Sequence, residues 1–307
     1  MCLANNIEAP RMSMEELAGT GIETISFPWY DREAATKVVA EVIGSKKIAT
    51  DSDAFGLPLA PLPGGFAELR FSLTPEEIER YREGGRRAAG AIEHACRKLR
   101  RGMTEHEAAG VLDDEIHTAG LNPLVTLVAA DGRVMKFRHP IPTPHVIREH
   151  VMLVTCASFG GLISNVTRFV RFTPPSEELR RKHQAVCNVD AAVNLATRPG
   201  RTLGEIFDDL RRAYAANGHP DEWKLHHQGG PTGYATRDAV ATPGHGMKVV
   251  ENQAFAWNPS ITGAKSEDTM LCTPTGIEVL TAHSKDWPSV IGRAENHELR
   301  RADVLHI

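Results

Sequence analysis

Fourteen histidines stand in this 307-residue chain, and seven of them fall into two groups: His139, His145 and His150, then His219, His226, His227 and His245. Imidazole titrates near neutrality and carries a lone pair, so such groups suggest acid–base chemistry or metal ligation. Spacing argues against metal. There is no HExxH pair, and His226 and His227 are adjacent, which on a strand sends them to opposite faces and prevents joint chelation. His139 is the better candidate. Arg138-His139-Pro140 leads from an apolar strand into a loop stiffened by Pro142 and Pro144, where a rigid edge can present a side chain to a cleft. Glu267, in Lys265-Ser266-Glu267-Asp268-Thr269, stands at the mouth of the apolar Met270-Leu271. A carboxylate there is costly unless paired, so the position reads as a functional acid or, failing that, a solvated hairpin turn. The phrase HHQGGPTGY, residues 226–234, holds three glycines in five positions but neither dinucleotide nor GxxxxGK[ST] spacing. It reads as a tight, backbone-exposing turn beside a pocket.

The elements that must position these residues are legible from caps and periodicity. Residues 1–70 read as a small α/β piece: a strand over 22–29, a helix over 32–43 and a short strand over 47–50. LPLAPLPGG, residues 57–65, then interrupts regular structure, so a domain boundary is expected between Pro58 and Ser72. Thr74-Pro75-Glu76-Glu77 is a capping box opening a helix that runs to Arg101. A second helix spans Glu105 to Thr118 and a strand Pro123 to Ala129. The order returns downstream as helices over Glu177–Thr197 and Gly204–Asn217, then a strand over Trp223–His227. Gly102 and Gly200, Thr104 and Thr202, Gly120 and Gly218 are all 98 residues apart, which indicates an internal duplication. Each repeat enters a β-rich segment, Val151–Phe172 and Phe255–Leu280, so the body should be a pseudo-symmetric α+β domain over residues 71–290, followed by a tail over 291–307.

Composition bounds the function. With 35 Lys+Arg against 39 Asp+Glu, the charge balance is too even for a generic nucleic-acid or anionic-membrane binder. The longest nearly apolar run, Val151–Ile163, is too short to span a bilayer, and the N-terminus lacks a secretory pattern, so a cytoplasmic protein acting on a small molecule is expected. Cys2, Cys96, Cys156, Cys187 and Cys272 include no CxxC and read as small buried thiols.

The RxGxT…G duplication, the RHPIPT segment, Ser164-Asn165-Val166-Thr167-Arg168, HHQGGPTGY and SEDT together resemble the creatinase, Xaa-Pro aminopeptidase and methionine aminopeptidase family, peptidase family M24. The resemblance covers residues 70–285 and implies the pita-bread fold. Residues 1–70 look like the closing part of the family's N-terminal domain, so this domain is expected to be truncated. Metal-dependent members hold two ions with two aspartates, a histidine and two glutamates. The matching positions here read Thr155, Asn165, Gly230, Asn258 and Glu267, and a single carboxylate leaves a dinuclear site without its ligands. No cofactor is expected. Creatinase, the family's metal-independent precedent, implies His139 as general base, Glu267 as its electrostatic partner and Arg237 as a bidentate clamp for a substrate carboxylate. His227, Tyr234, Trp257, Asn258 and Thr167 would line the substrate, and because Thr167 replaces creatinase's own acid, creatine itself is not expected. The implied activity is metal-independent hydrolysis of a C–N bond in an amino-acid-derived or amidine-like molecule. The alternatives are a metallopeptidase with non-standard ligands and a non-catalytic binding protein. The resemblance also implies a homodimer.

Overall fold

The computed structural model describes residues 1–51, 55–57, 59–295 and 297–307. The chain divides into two compact units, Met1–Leu69 and Arg70–Ile307. Pro58, the early limit of the expected boundary, lies outside the described residues.

In the first unit, β1 (Cys2–Asn5) precedes the short α1 (Ala9–Arg11) and pairs in parallel with β2 (Thr24–Phe27). Asp31 starts α2 (Arg32–Ile43) by accepting the Ala34 amide at 2.9 Å, and the helix turns Ala35 and Val39 inward. β3 (Ala49–Thr50) pairs with β4 (Ala60–Pro61). Ala4, Ala9, Ala35 and Val39 are the buried apolar residues among the described residues of this unit. Small side chains of this kind remove little apolar area from water, so the unit has a thin core.

The second unit is built twice. Its first half runs α3 (Pro75–Lys98), α4 (Glu105–Thr118), β5 (Asn122–Ala130), β6 (His150–Phe159) and β7 (Leu162–Arg171). The second half begins with α5 (Glu177–Ala196) and α6 (Leu203–Ala216) and continues through β8 (Gly229–Thr232) and β9 (Gln253–Trp257). A small hairpin of β10 (Ser260–Ile261) and β11 (Ala264–Lys265) leads to β12 (Asp268–Thr273) and β13 (Gly276–Val279). The duplication is visible in detail. Thr104 and Thr202 each cap a 14-residue helix through a full capping box, and Gly102 and Gly200 each donate their amide 2.9 Å to a returning loop, at Ile147 and Val249.

Each half lays its helices on the outer face of a sheet. Ile92, Leu112, Ile116, Leu153, Val166 and Val170 form a core between α3, α4 and the first sheet, while Val189, Ile206, Leu210, Phe255 and Met270 do the same under α5 and α6. A fully buried side chain of this size contributes about 1.5–3 kcal/mol, so these two cores hold the scaffold. The inner faces meet where β7 runs beside β12, with the Thr167 amide donating to Glu267 O at 3.2 Å and the Asn165 amide donating to Thr269 Oγ1 at 2.7 Å. Two matching α+β halves closed on each other are the pseudo-two-fold pita-bread arrangement.

Two expectations fail. Trp223–His227 is not a strand: Glu222–Leu225 is a single 3-10 turn, and the chain straightens only at His226. Residues 291–307 are not a tail, because β14 (Ser289–Ala294) and β15 (His297–Ala302) form a hairpin and β16 (Leu305–His306) adds to β7 in parallel. The hairpin buries Arg301 against Asp190 and Asp268, and that charge neutralisation needs tertiary contact. No described helix is long and apolar enough to cross a membrane.

Candidate active site

The site forms on the inner faces, and strand parity decides which residues reach it. In an antiparallel pair, directly opposed residues share a face. Asn165 opposes Cys156, whose thiol donates to Asn165 Oδ1 at 3.0 Å. Thr155 opposes Val166 and therefore points outward into the α3–α4 core. The position expected for the first aspartate was thus misplaced by one residue: Cys156, nine before Asn165, occupies the inner face. On the other sheet Gly230 opposes Ala256 and Trp257 opposes Asp268. One step further, Asn258 stands across from Glu267, on the same face as Gly230. Asn165, Gly230, Asn258 and Glu267 are therefore brought to facing surfaces, and Thr155 is not.

The Ser266–Thr269 segment is pinned at every residue. Ser266 Oγ donates to Asp190 at 2.7 Å, Asp268 is paired with Arg168 at 3.0 Å and Arg301 at 2.9 Å, and the Thr269 amide donates to Thr281 Oγ1 at 2.9 Å. Glu267 lies between these anchors and is 3% exposed. It accepts 2.6 Å from Lys265 Nζ, 2.7 Å from Thr167 Oγ1 and 3.2 Å from Arg237 Nη2. Burial alone would push its pKa up, but the Lys265 and Arg237 charges outweigh that and hold it down to about 2, so it stays ionised.

The solvated-turn alternative for Glu267 is thereby removed, and the clamp expected of Arg237 is already engaged through both Nη atoms, its Nε being buried without a protein partner. Its Nη1 donates to Asn165 Oδ1 at 2.8 Å and to Thr236 O, while Nη2 holds Glu267. A substrate carboxylate would have to displace those bonds. Trp257 does not wall the pocket either: it is fully buried, stacked on Phe255, with its indole N–H donating to Thr197 at 3.0 Å. Tyr234 commits its hydroxyl to α3, donating to Glu77 at 2.5 Å and accepting from Arg80 at 2.7 Å. Thr167 serves Glu267 directly, and Asn258 is 2% exposed with its Oδ1 lacking a protein partner.

The histidines assemble in a way that adjacency in sequence concealed. Arg138 donates 2.6 Å to Glu222 and 3.0 Å to Thr262, which buckles the His139 loop to the 3-10 turn just before His226. His139 and His226 then meet through their Nε2 atoms at 2.9 Å, and the His227 ring centroid lies 5.2 Å from that of His139. Because residues 226 and 227 follow a turn and are not a regular strand, both rings face His139. His226 Nδ1 contacts Ser260 Oγ at 3.2 Å, and His227 Nδ1 is buried without a protein partner. Loss of water and then the Lys265 charge lower the His226 pKa to about 2; burial and the Arg237 charge bring His227 to about 4. His139 is shifted down by loss of water around its ring and by Lys265, although the residue as a whole is exposed. All three are neutral at physiological pH, poised to accept a proton or offer a lone pair.

The family's two-metal centre does not fit these residues. A side chain at Gly230 would meet Ala239 O, since a Cβ there would lie 2.3 Å from it. Burial holds the Cys156 thiol up at about 12, so it is a neutral thiol and not a thiolate ligand. Asn165 and Asn258 bring no charge, and the one carboxylate is neutralised by two cations. Lys265 and Arg237 stand where a metal's positive charge would be needed.

Residues 79–274 match the model of metallopeptidase family M24. The chain belongs to that family. Among curated proteins, this M24 member is 26% identical over 226 residues to an uncharacterized peptidase of Staphylococcus haemolyticus and 26% identical over 230 residues to one of Staphylococcus aureus. In both cases the match covers 71% of this chain, and the chain spans 64% of the relative's length. Among solved structures it is similar to an X-Pro aminopeptidase from Thermotoga maritima, with a TM-score of 0.79 and 17% identity over 99% of this chain and 87% of that one. An Xaa-Pro dipeptidase from Bacillus anthracis gives 0.75 and 21%, over 92% and 84%. A prolidase from Pyrococcus furiosus gives 0.75 and 19%, over 92% and 87%. These likenesses establish the pita-bread fold.

Three site residues escaped the sequence reading, and each had left a signal. Lys265 is two before Glu267 and so shares its face. Cys156 is found by counting parity back from Asn165. His226, dismissed for its neighbour, opens HHQGGPTGY, one of the segments on which the family resemblance rests.

Proposed function

We propose that this M24 member is a hydrolase that opens a C–N bond in a small amino-acid-derived or amidine-like molecule, with His139 moving the protons and no two-metal centre. The observation that carries this reading is the replacement of that centre by the Glu267–Lys265–Arg237 ion network beside a pair of neutral imidazoles. Two proton arrangements satisfy the Ser260–His226–His139 chain. In one, His226 Nδ1–H donates to Ser260 Oγ and His139 Nε2–H donates to His226 Nε2. This leaves the His139 Nδ1 lone pair free on an exposed residue.

From that state the steps balance. His139 Nδ1 takes a proton from water as the water oxygen bonds to the substrate carbon. The C–N bond then breaks with its electron pair on nitrogen, and the His139 imidazolium returns the proton there, consuming one water. Glu267 favours the imidazolium electrostatically, against Lys265 and Arg237, which disfavour it. The charged form is thus short-lived, as a proton shuttle requires. Asn258 Oδ1, His227 Nδ1 and Arg237 Nε, buried and without protein partners, are groups available to bind substrate.

The names of the similar structures favour a second reading for the substrate, a dipeptide of the Xaa-Pro kind. Both readings are tested by one panel on the full chain: Xaa-Pro dipeptides and amidino or ureido acids, each with a chelator or with added manganese or cobalt. Turnover that is not lost in the presence of chelator, and is reduced about 10²–10⁴-fold by His139→Ala, is the expected result. Strict dependence on added metal, or wild-type turnover by His139→Ala, would refute the mechanism.

A further inference from the structure

We propose that His139, His226 and His227 form a binding site for one divalent transition-metal ion of the zinc class, separate from the five positions of the family's two-metal centre. One ligand nitrogen of each ring lies within 4.8 Å of the other two. The Nε2 atoms of His139 and His226 are 2.9 Å apart. Zinc–nitrogen bonds of about 2.0–2.1 Å at a tetrahedral angle place two ligand nitrogens about 3.3 Å apart. His139 and His226 therefore need to part by a few tenths of an ångström, roughly, and His227 to swing inward by up to about 1.5 Å. Motion of that size is a small side-chain torsion and leaves the backbone in place.

The surroundings suit a ligand role. Ser260 Oγ engages His226 Nδ1, which orients the ring with Nε2 toward the other two, as a partner beyond the ligands does at metal sites. His227 Nδ1 is buried with no protein partner, so part of that ring's bonding capacity is unspent. His139 is exposed, which supplies an entry path and leaves a fourth position open to water or to a small anionic ligand. Lys265 and Arg237 oppose a cation here and Glu267 only partly offsets them, so binding should be weaker than at a site with a ligand carboxylate. An ion held on these nitrogens also occupies His139, and zinc would then act as an inhibitor of proton transfer by that residue. The binding claim itself is independent of the proposed hydrolysis, because its readout is the metal.

The test uses the full chain, stripped with a chelator and dialysed. It is titrated with zinc by equilibrium dialysis and with cobalt by visible absorption, which reports tetrahedral or five-coordinate ligation. One ion per chain is expected, with affinity falling at least about tenfold in His226→Gln and in His227→Gln. Asn165→Ala, at a position of the family centre, should leave affinity unchanged. His139→Asn, on an exposed loop residue, should also weaken binding and keeps the test valid if either of the other two histidine variants misfolds. The proposal is overturned if the folded wild-type chain binds neither metal. It is equally overturned if His139→Asn retains wild-type affinity, or if affinity is lost in Asn165→Ala but kept in the histidine variants.

Discussion

Substitution of Glu267 by Gln keeps the side chain's size and removes its charge, leaving Lys265, 5% exposed, with its ammonium in the protein interior and no anion beside it. Removing one partner of a buried ion pair costs about 3–5 kcal/mol, and because a Gln oxygen can still accept from Lys265 or Thr167, the lower end is expected. The pKa leads to a similar figure. A carboxyl held at about 2 instead of its ordinary 4.5 favours the folded state by about 3 kcal/mol at neutral pH. The sign follows from the depressed folded value: this contribution is full above pH 4.5 and is lost as pH falls toward about 2. For a unit of this size, 3 kcal/mol lowers Tm by about 6–12 °C. Urea unfolding followed by the fluorescence of the buried Trp257 and Trp287 reads it directly. Lys265→Met should cost a similar amount. The Lys265→Met/Glu267→Gln double variant should be about 2 kcal/mol more stable than the sum of the singles implies. Singles within about 0.5 kcal/mol of wild type, additive in the double and with no loss of their difference in acid, would refute the claim that Lys265 and Glu267 form a strongly coupled buried ion pair.

Two further outcomes follow from the same geometry. Cys156, with its thiol held up at about 12, should react with iodoacetamide in the native chain only after Cys2, and should label fast only on unfolding, as read by peptide mass spectrometry; rapid native labelling would contradict its neutral state. Arg301→Met strips a cation from the buried Asp190 and Asp268 and should destabilise the second unit by about 3–5 kcal/mol in a chemical denaturation curve, whereas a true C-terminal tail would show almost no change.

Much of the scaffold was determined locally and could be read without coordinates. Capping boxes at Thr74, Thr104 and Thr202 satisfy helix ends from within four residues, so the helix starts were written in the chain, and the 98-residue repeat announced a two-fold body. Glu267 was found because a carboxylate ahead of an apolar strand has few places to go. The tertiary structure decided the rest, wherever the outcome turned on strand parity or on partners distant in sequence. One residue of register separates Cys156 on the inner face from Thr155 in the core, and no local propensity distinguishes them. Arg237 looked like a free clamp until Asn165, 72 positions away, and Glu267 engaged its two Nη nitrogens. The C-terminal residues looked like a tail because β14 and β15 are stabilised by Asp190 and Asp268, charges supplied by other elements. The histidine cluster depends on a turn that ends at Leu225 and on the Arg138–Glu222 buckle, contacts 84 residues apart that only folding brings together.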